Sequence, residues 1–192
     1  MEGRGGTNMI IQGDCLVEMD RLITEGVIVD VIITDPPYGT TACKWDSVIP
    51  FAPMWDRLNK LIKPNGAIVL FGSEPFSSAL RMSNIKNYKY DWVWDKHIPR
   101  GFQVAKYRPM MKHENVMVFG LSRINYYPQK VLREKPVTVR NYSKQDSISS
   151  NDIGKYNTGK SFTYTHKSPD SIIIGFWEAN AGKLHPTQKP VA

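Results

Sequence analysis

Apolar positions fall into two rhythms along the chain. Val27 to Ile33 is a β-branched run interrupted only by Asp30, which predicts a strand buried on both faces. Pro36-Pro37 cannot continue a sheet, so the chain turns there, at the carboxyl end of that strand. Met9-Ile10-Ile11 predicts an earlier strand, broken by Gly13-Asp14. Between the two, Leu16, Met19, Leu22 and Ile23 recur at helical spacing, with Asp14 placed to cap the helix. Phe51, Met54, Trp55, Leu58, Leu61 and Ile62 trace the clearest helical stripe, with Pro53 tolerable in its first turn. Pro64-Asn65-Gly66 stops that helix and turns into a strand from Ala67 to Phe71. A further helix opens near Gly72-Ser73-Glu74-Pro75-Phe76 with Ser73 as its N-cap, and strands follow at Tyr90–Trp94 and Asn115–Phe119. Strand, helix, strand in this order predicts parallel βαβ units and an α/β fold.

From Ser122 to Asp170 the rhythm fades. Arg123, Lys130, Arg133, Lys135, Arg140, Lys144, Lys155, Lys160 and Lys167 outnumber the acidic residues there, with six Tyr or Phe residues interleaved. That mixture suits nucleic-acid contact better than a simple linker. Ser171 to Trp177 returns to a short apolar strand. The domain reading is a disordered Gly-rich leader at 1–8, a main domain at 9–121, an inserted lobe at 122–170, and a return to the main domain at 171–192.

Charge reinforces this picture: a net +7 and a pI near 9.4 favour a polyanionic partner. Cys15 and Cys43 lack the spacing of a zinc site or a disulfide framework, so no metal is assigned and both thiols are read as reduced and structural. No apolar run approaches the length of a membrane span, and the amino end lacks a signal-peptide core, which makes a cytoplasmic location the default.

The chemistry concentrates at Asp35-Pro36-Pro37-Tyr38. Open α/β sheets keep their ligands at the carboxyl ends of strands. There, Asp35 and the Pro36 carbonyl supply two acceptors, and Tyr38 a stacking ring, for a flat group that bears an amine. An exocyclic amine on a nucleobase is a weak nucleophile because its lone pair is delocalised; acceptors on both N–H bonds help localise it. Read blandly, the same tetrapeptide is an ordinary strand exit. Arg100, Lys106 and Arg108 lie in a basic, aromatic loop suited to phosphates or to the gap beside an extruded base, with a merely solvated loop as the alternative. Trp45 either packs on a ligand or anchors its loop.

Asp-Pro-Pro-Tyr after a hydrophobic strand resembles the catalytic signature of the amino-methylating DNA methyltransferases, and its Asp form resembles the adenine-N6 branch more than the cytosine-N4 branch. His185-Pro186-Thr187-Gln188-Lys189-Pro190 resembles the segment with which the permuted members of that family resume their catalytic domain. The Trp-rich strand before Lys96 and the His113-Glu114 pair before a strand are similar to family features too. The resemblance runs from Met9 to the last residue, with 122–170 matched only by position and character. It implies a Rossmann-like methyltransferase sheet, circularly permuted, with an inserted target-recognition lobe.

It further implies S-adenosylmethionine as methyl donor and double-stranded DNA as substrate. Asp35, Pro36, Pro37 and Tyr38 would be catalytic, and Asp14, Ser73 and Lys189 would lie against the donor. Arg100, Lys106, Arg108, Arg123 and Arg133 would bind DNA. The family's glycine-rich donor loop, expected after Lys189 in this order, is missing from the sequence. The expectation is therefore an incomplete sheet, inactive or weak by itself, completed by a homodimer or a second chain. Adenine-N6 methylation, in the setting of restriction and modification, leads; cytosine-N4 methylation and a non-catalytic DNA-binding remnant are the alternatives.

Overall fold

A computed structural model describes residues 9–41, 43, 46–140 and 161–174. The leader, Trp45, Lys189 and the whole His185–Pro190 segment lie outside the described residues. Contacts divide the chain into two compact units, Met1–Asn125 with Ser171–Ala192, and Tyr126–Asp170.

The first unit is a mixed sheet with helices. Its elements are α1 (Cys15–Thr24), β1 (Val29–Thr34), α2 (Phe51–Leu61), β2 (Ile62–Gly72), α3 (Phe76–Ser83), β3 (Tyr88–Arg100), a 3-10 turn (Phe102–Val104), β4 (Met111–Phe119) and, after the second unit, β7 (Ile172–Ile174). The strand order is β1-β2-β4-β3-β7. β1, β2, β3 and β7 run in one direction and β4 runs against them. The carboxyl ends of four strands and the amino end of β4 therefore share one end of the sheet. The second unit holds β5 (Val131–Arg140) and β6 (Ser161–Lys167), paired antiparallel.

The helical stripe of α2 buries Met54, Trp55 and Leu58 in one cluster with Ile68 and Leu70 of β2, Met117 and Phe119 of β4, and Phe76 and Leu80 of α3. Each such side chain contributes roughly 1.5–3 kcal/mol when fully buried. Asp14 caps α1, its Oδ1 accepting from Leu16 N at 2.9 Å and Val17 N at 3.2 Å. That helix lies outermost: it buries no residue fully and is tied to α2 by Arg57, which donates to Leu16 O at 3.2 Å and pairs with Asp20 at 2.6 Å.

The structure corrects four expectations. Met9–Ile11 is not a strand, and Ile10 is 97% exposed, because no described strand lies beside this short run to take its backbone hydrogen bonds. Among the described residues β1 pairs with β2 alone, at the edge of the sheet instead of its centre, and Val31 and Ile33 are exposed, Ile33 at 65%. The helices pack on the face of Ile68, Leu70, Met117 and Phe119, while Val31 and Ile33 point to the other. Ser73 does not cap α3; that helix starts at Phe76, and the Glu74 carboxylate takes the N–H of Ser78 at 3.2 Å instead. Both cysteines are exposed, so neither is a buried structural thiol.

Candidate active site

β1 delivers Asp35 to the shared end of the sheet. One residue before it, Thr34 is in register with Leu70 of β2; further across, Gly72 pairs with Asn115 of β4, and Glu114 with Trp94 of β3. Pro36 is buried, Pro37 and Tyr38 half-buried, and Asp35 exposed. The two prolines end the strand and hold the turn stiff, so a carboxylate and a ring only three residues apart converge. The Tyr38 hydroxyl donates to Asp35 Oδ1 at 2.5 Å, and the Tyr38 ring stacks on Phe76 with centroids 5.1 Å apart and planes 26° apart.

Burial first, then the hydrogen bond to Asp35 and the charges of Glu114, Asp35 and Asp46, push the Tyr38 phenol far above its ordinary range. It stays protonated at any working pH and can only donate to the carboxylate.

Two supports of this turn lie outside the Asp-Pro-Pro-Tyr tetrapeptide. Phe76, the first residue of α3, backs the Tyr38 ring from 38 positions away in the chain. Asp46 organises the loop after it: its carboxylate accepts from the N–H groups of Gly39 at 2.9 Å, Thr40 at 2.9 Å and Thr41 at 2.7 Å. Gly39 is required in this loop, since its φ is +68° and an added Cβ would sit 2.8 Å from Val48 Cγ2. The Thr41 hydroxyl, together with these amides, holds the Asp46 carboxyl down at about 2, against the opposing effect of burial. A carboxyl whose folded value is depressed stabilises the fold above its ordinary value and loses that contribution as pH falls through the folded value. The amide resonances of Gly39, Thr40 and Thr41 should therefore titrate together with a midpoint near pH 2, and Asp46→Ala should abolish the titration. A common midpoint near pH 4 would contradict this loop structure.

Lys96 and Glu114 form an ion pair across β3 and β4, and Glu114 is 8% exposed. The Lys96 ammonium also lies 5.8 Å from the centre of the Trp94 ring. Desolvation consumes most of the Coulomb gain of such a pair, but removing one member strands the other. Lys96→Met is expected to cost about 2 kcal/mol in urea unfolding, and Glu114→Leu in the same chain should recover most of it. A single-variant cost below about 0.5 kcal/mol would show that the pair is effectively solvated.

The remaining sequence candidates separate. Ser73 follows β2 at the same sheet end as Asp35, half-buried, with its carbonyl accepting from Ser77 N at 3.0 Å. Arg100, the last residue of β3, and Lys106 and Arg108, in the connection from β3 to β4, are exposed at this end too. Arg123 follows β4 and so lies at the opposite end, where Ser122 Oγ donates to Pro64 O at 2.5 Å. Arg133 belongs to the second unit, where its Nε donates to His166 O at 3.3 Å. Asp14 lies at the amino end of α1. Among the described residues no cluster of His, Cys, Asp and Glu is arranged to hold a metal ion, and no helix is long and apolar enough to cross a membrane.

Among solved structures, the fold matches the M1.HpyAVI–SAM complex with a TM-score of 0.51 at 23% identity, over 65% of this chain and 60% of that one. It also aligns with PvuII DNA methyltransferase, described as cytosine-N4-specific, with a TM-score of 0.45 at 15% identity, over 62% of this chain and 50% of that one. The chain thus spans 60% of the length of the first of these proteins, and that likeness is one of fold. No curated protein matches the chain. The DNA methylase profile of the N6 and N4 methyltransferases (N6_N4_Mtase) matches residues 29–192, from the start of β1 through the second unit and beyond. With an α/β sheet of methyltransferase type and that match over most of its length, the chain belongs to the N6/N4 DNA methylase family.

Proposed function

We propose that the full-length protein transfers a methyl group from S-adenosylmethionine to the N6 amine of adenine in double-stranded DNA. The observation that carries this reading is the pairing of Asp35 with Tyr38 at the carboxyl end of β1, with the ring backed by Phe76. The residues around the Asp35 turn fit a sulfonium ligand, since they offer carboxylate oxygens and aromatic faces, the Asp35 carboxylate and the Tyr38 and Phe76 rings among them. When bound, S-adenosylmethionine supplies an electrophilic methyl group.

The chain's own residues do the rest. An adenine extruded from the duplex lies against the Tyr38 ring, whose other side rests on Phe76; stacking of this kind offsets part of the cost of extrusion, about 1–3 kcal/mol per base. Asp35 Oδ2 and the Pro36 carbonyl accept the two N–H bonds of the amine and turn its lone pair outward. Oδ1 is held meanwhile by the Tyr38 hydroxyl, which fixes the carboxylate plane. With the donor bound, the amine lone pair would form the new N–C bond as the S–C bond breaks and its electron pair stays on sulfur, and the amine proton would depart afterwards, when the nitrogen is far more acidic. Asp14, through Oδ2, with Ser73 and Lys189, is assigned to the donor. Arg100, Lys106 and Arg108 are assigned to phosphates beside the target, and Arg123 and Arg133 to other phosphates.

The test is nucleoside analysis of unmethylated DNA incubated with the full-length protein and S-adenosylmethionine. N6-methyladenine is expected. N4-methylcytosine would move the specificity to the other branch of the family, and DNA binding without any methylated nucleoside would make the protein a non-catalytic binder.

A further inference from the structure

The connection between β3 and β4 is built, not slack. Gly101, with φ of +92°, turns the chain out of β3, and Phe102–Val104 forms a 3-10 turn. Val104 N donates to Gly101 O at 3.1 Å and Ala105 N to Phe102 O at 3.1 Å; Tyr107 N and Arg108 N both donate to Val104 O, at 2.9 and 3.1 Å. Val104 is half-buried and anchors the turn. Yet this ordered loop holds two large rings in water, Phe102 at 81% exposure and Tyr107 at 87%. Three exposed cations, Arg100, Lys106 and Arg108, flank them, and the loop stands at the end of the sheet that carries Asp35.

A solvated loop gains nothing from an exposed phenyl ring, and a protein-docking patch would be contiguous and poor in charge. An apolar ring held rigidly between cations is instead the arrangement of a wedge that enters a base stack while the cations hold phosphates. We propose that Phe102 is such a wedge. It enters the duplex beside the base destined for Asp35 and Tyr38 and fills the gap that the base leaves. Tyr107, whose hydroxyl favours a position at the groove edge, packs beside the backbone and is not inserted. This proposal rests on the reading of the site as one that takes an extruded base.

The test does not need the recognition sequence. Binding of the full-length protein is measured by fluorescence anisotropy on a labelled duplex with one abasic site and on its fully paired counterpart. A wedge meets less resistance where stacking is already broken, so the wild type should prefer the abasic duplex by about tenfold. Phe102→Ala should bring the two affinities to within about twofold while leaving the salt dependence unchanged. Arg108→Ala should weaken both duplexes alike and lower the salt slope by about 1. Tyr107→Ala should keep the preference. Because Phe102 is so exposed, its alanine variant should melt with the wild type, which separates loss of the wedge from loss of the fold. A preference that survives in Phe102→Ala, or that is absent from the wild type, overturns the wedge alone. Absence of salt-sensitive binding to either duplex would instead overturn DNA as the substrate.

Discussion

Asp35→Ala is expected to lower the rate of methyl transfer in the full-length protein by about a thousandfold or more while leaving DNA affinity within about threefold. The carboxylate both accepts from Tyr38 and can face an amine, so its removal loses orientation and lone-pair localisation together. It contributes little to holding the duplex, which depends on cations and stacking. Asp35→Asn is the sharper comparison. Its carbonyl oxygen still accepts the Tyr38 hydroxyl, but an NH2 group then faces the substrate amine and repels it. Tyr38→Phe keeps the ring on Phe76 and loses only the hydroxyl, so its loss of rate should be much smaller. Single-turnover transfer of labelled methyl groups, read beside anisotropy on the same DNA, checks all three. An Asp35→Ala variant that retained methylation would remove Asp35 from the catalytic role.

Phe119→Ala should produce the largest loss of stability, about 3–5 kcal/mol. Phe119 is fully buried, with its ring 4.7 Å from that of Trp55 and 5.7 Å from that of Tyr88, and it pairs in register with Ile68. It thus joins α2, β2, β3 and β4. Domains of this kind unfold at a net cost of roughly 5–15 kcal/mol, so the variant would lose a large fraction of its margin. Urea unfolding followed by tryptophan fluorescence measures it, Trp55 being a direct neighbour. The same cluster contains Phe76, so loosening it should also blunt the stacking of Tyr38 before global unfolding. A cost below about 1 kcal/mol would mean that the core readily collapses around the cavity.

The helices were the most legible part of the sequence, because the period of α2 is set by which residues touch the sheet, and that pattern is local. β1 was legible as a strand but not as an edge. A β-branched run looks the same whichever neighbours it has, and neighbours are settled by elements far away in the chain. Met9–Ile11 misled for the same reason, since three apolar residues make a strand only if another strand accepts them. β5 and β6 went unread because Val137, Val139, Phe162 and Tyr164 alternate with polar residues over only a few positions and bury no face, β6 being exposed throughout. At the site, Asp35 to Tyr38 was legible since its residues are contiguous and each type answers a chemical need. Phe76, Asp46 and the Lys96–Glu114 pair reach the same place only through the fold. Asp46, within one loop of Gly39, was the one with a cue: an acid soon after a Gly-Thr-Thr turn, where free amides collect. Arg123 reaches the other end of the sheet from Asp35, which its charge in the sequence does not foretell.

Calorimetric titration of the folded full-length protein with S-adenosylmethionine tests the central claim most directly. The account predicts saturable binding to one site per chain, lost in competition with the demethylated product and weakened by Asp14→Ala. Heats no larger than dilution, from protein shown to be folded, would contradict a methyl-transfer site at the end of this sheet.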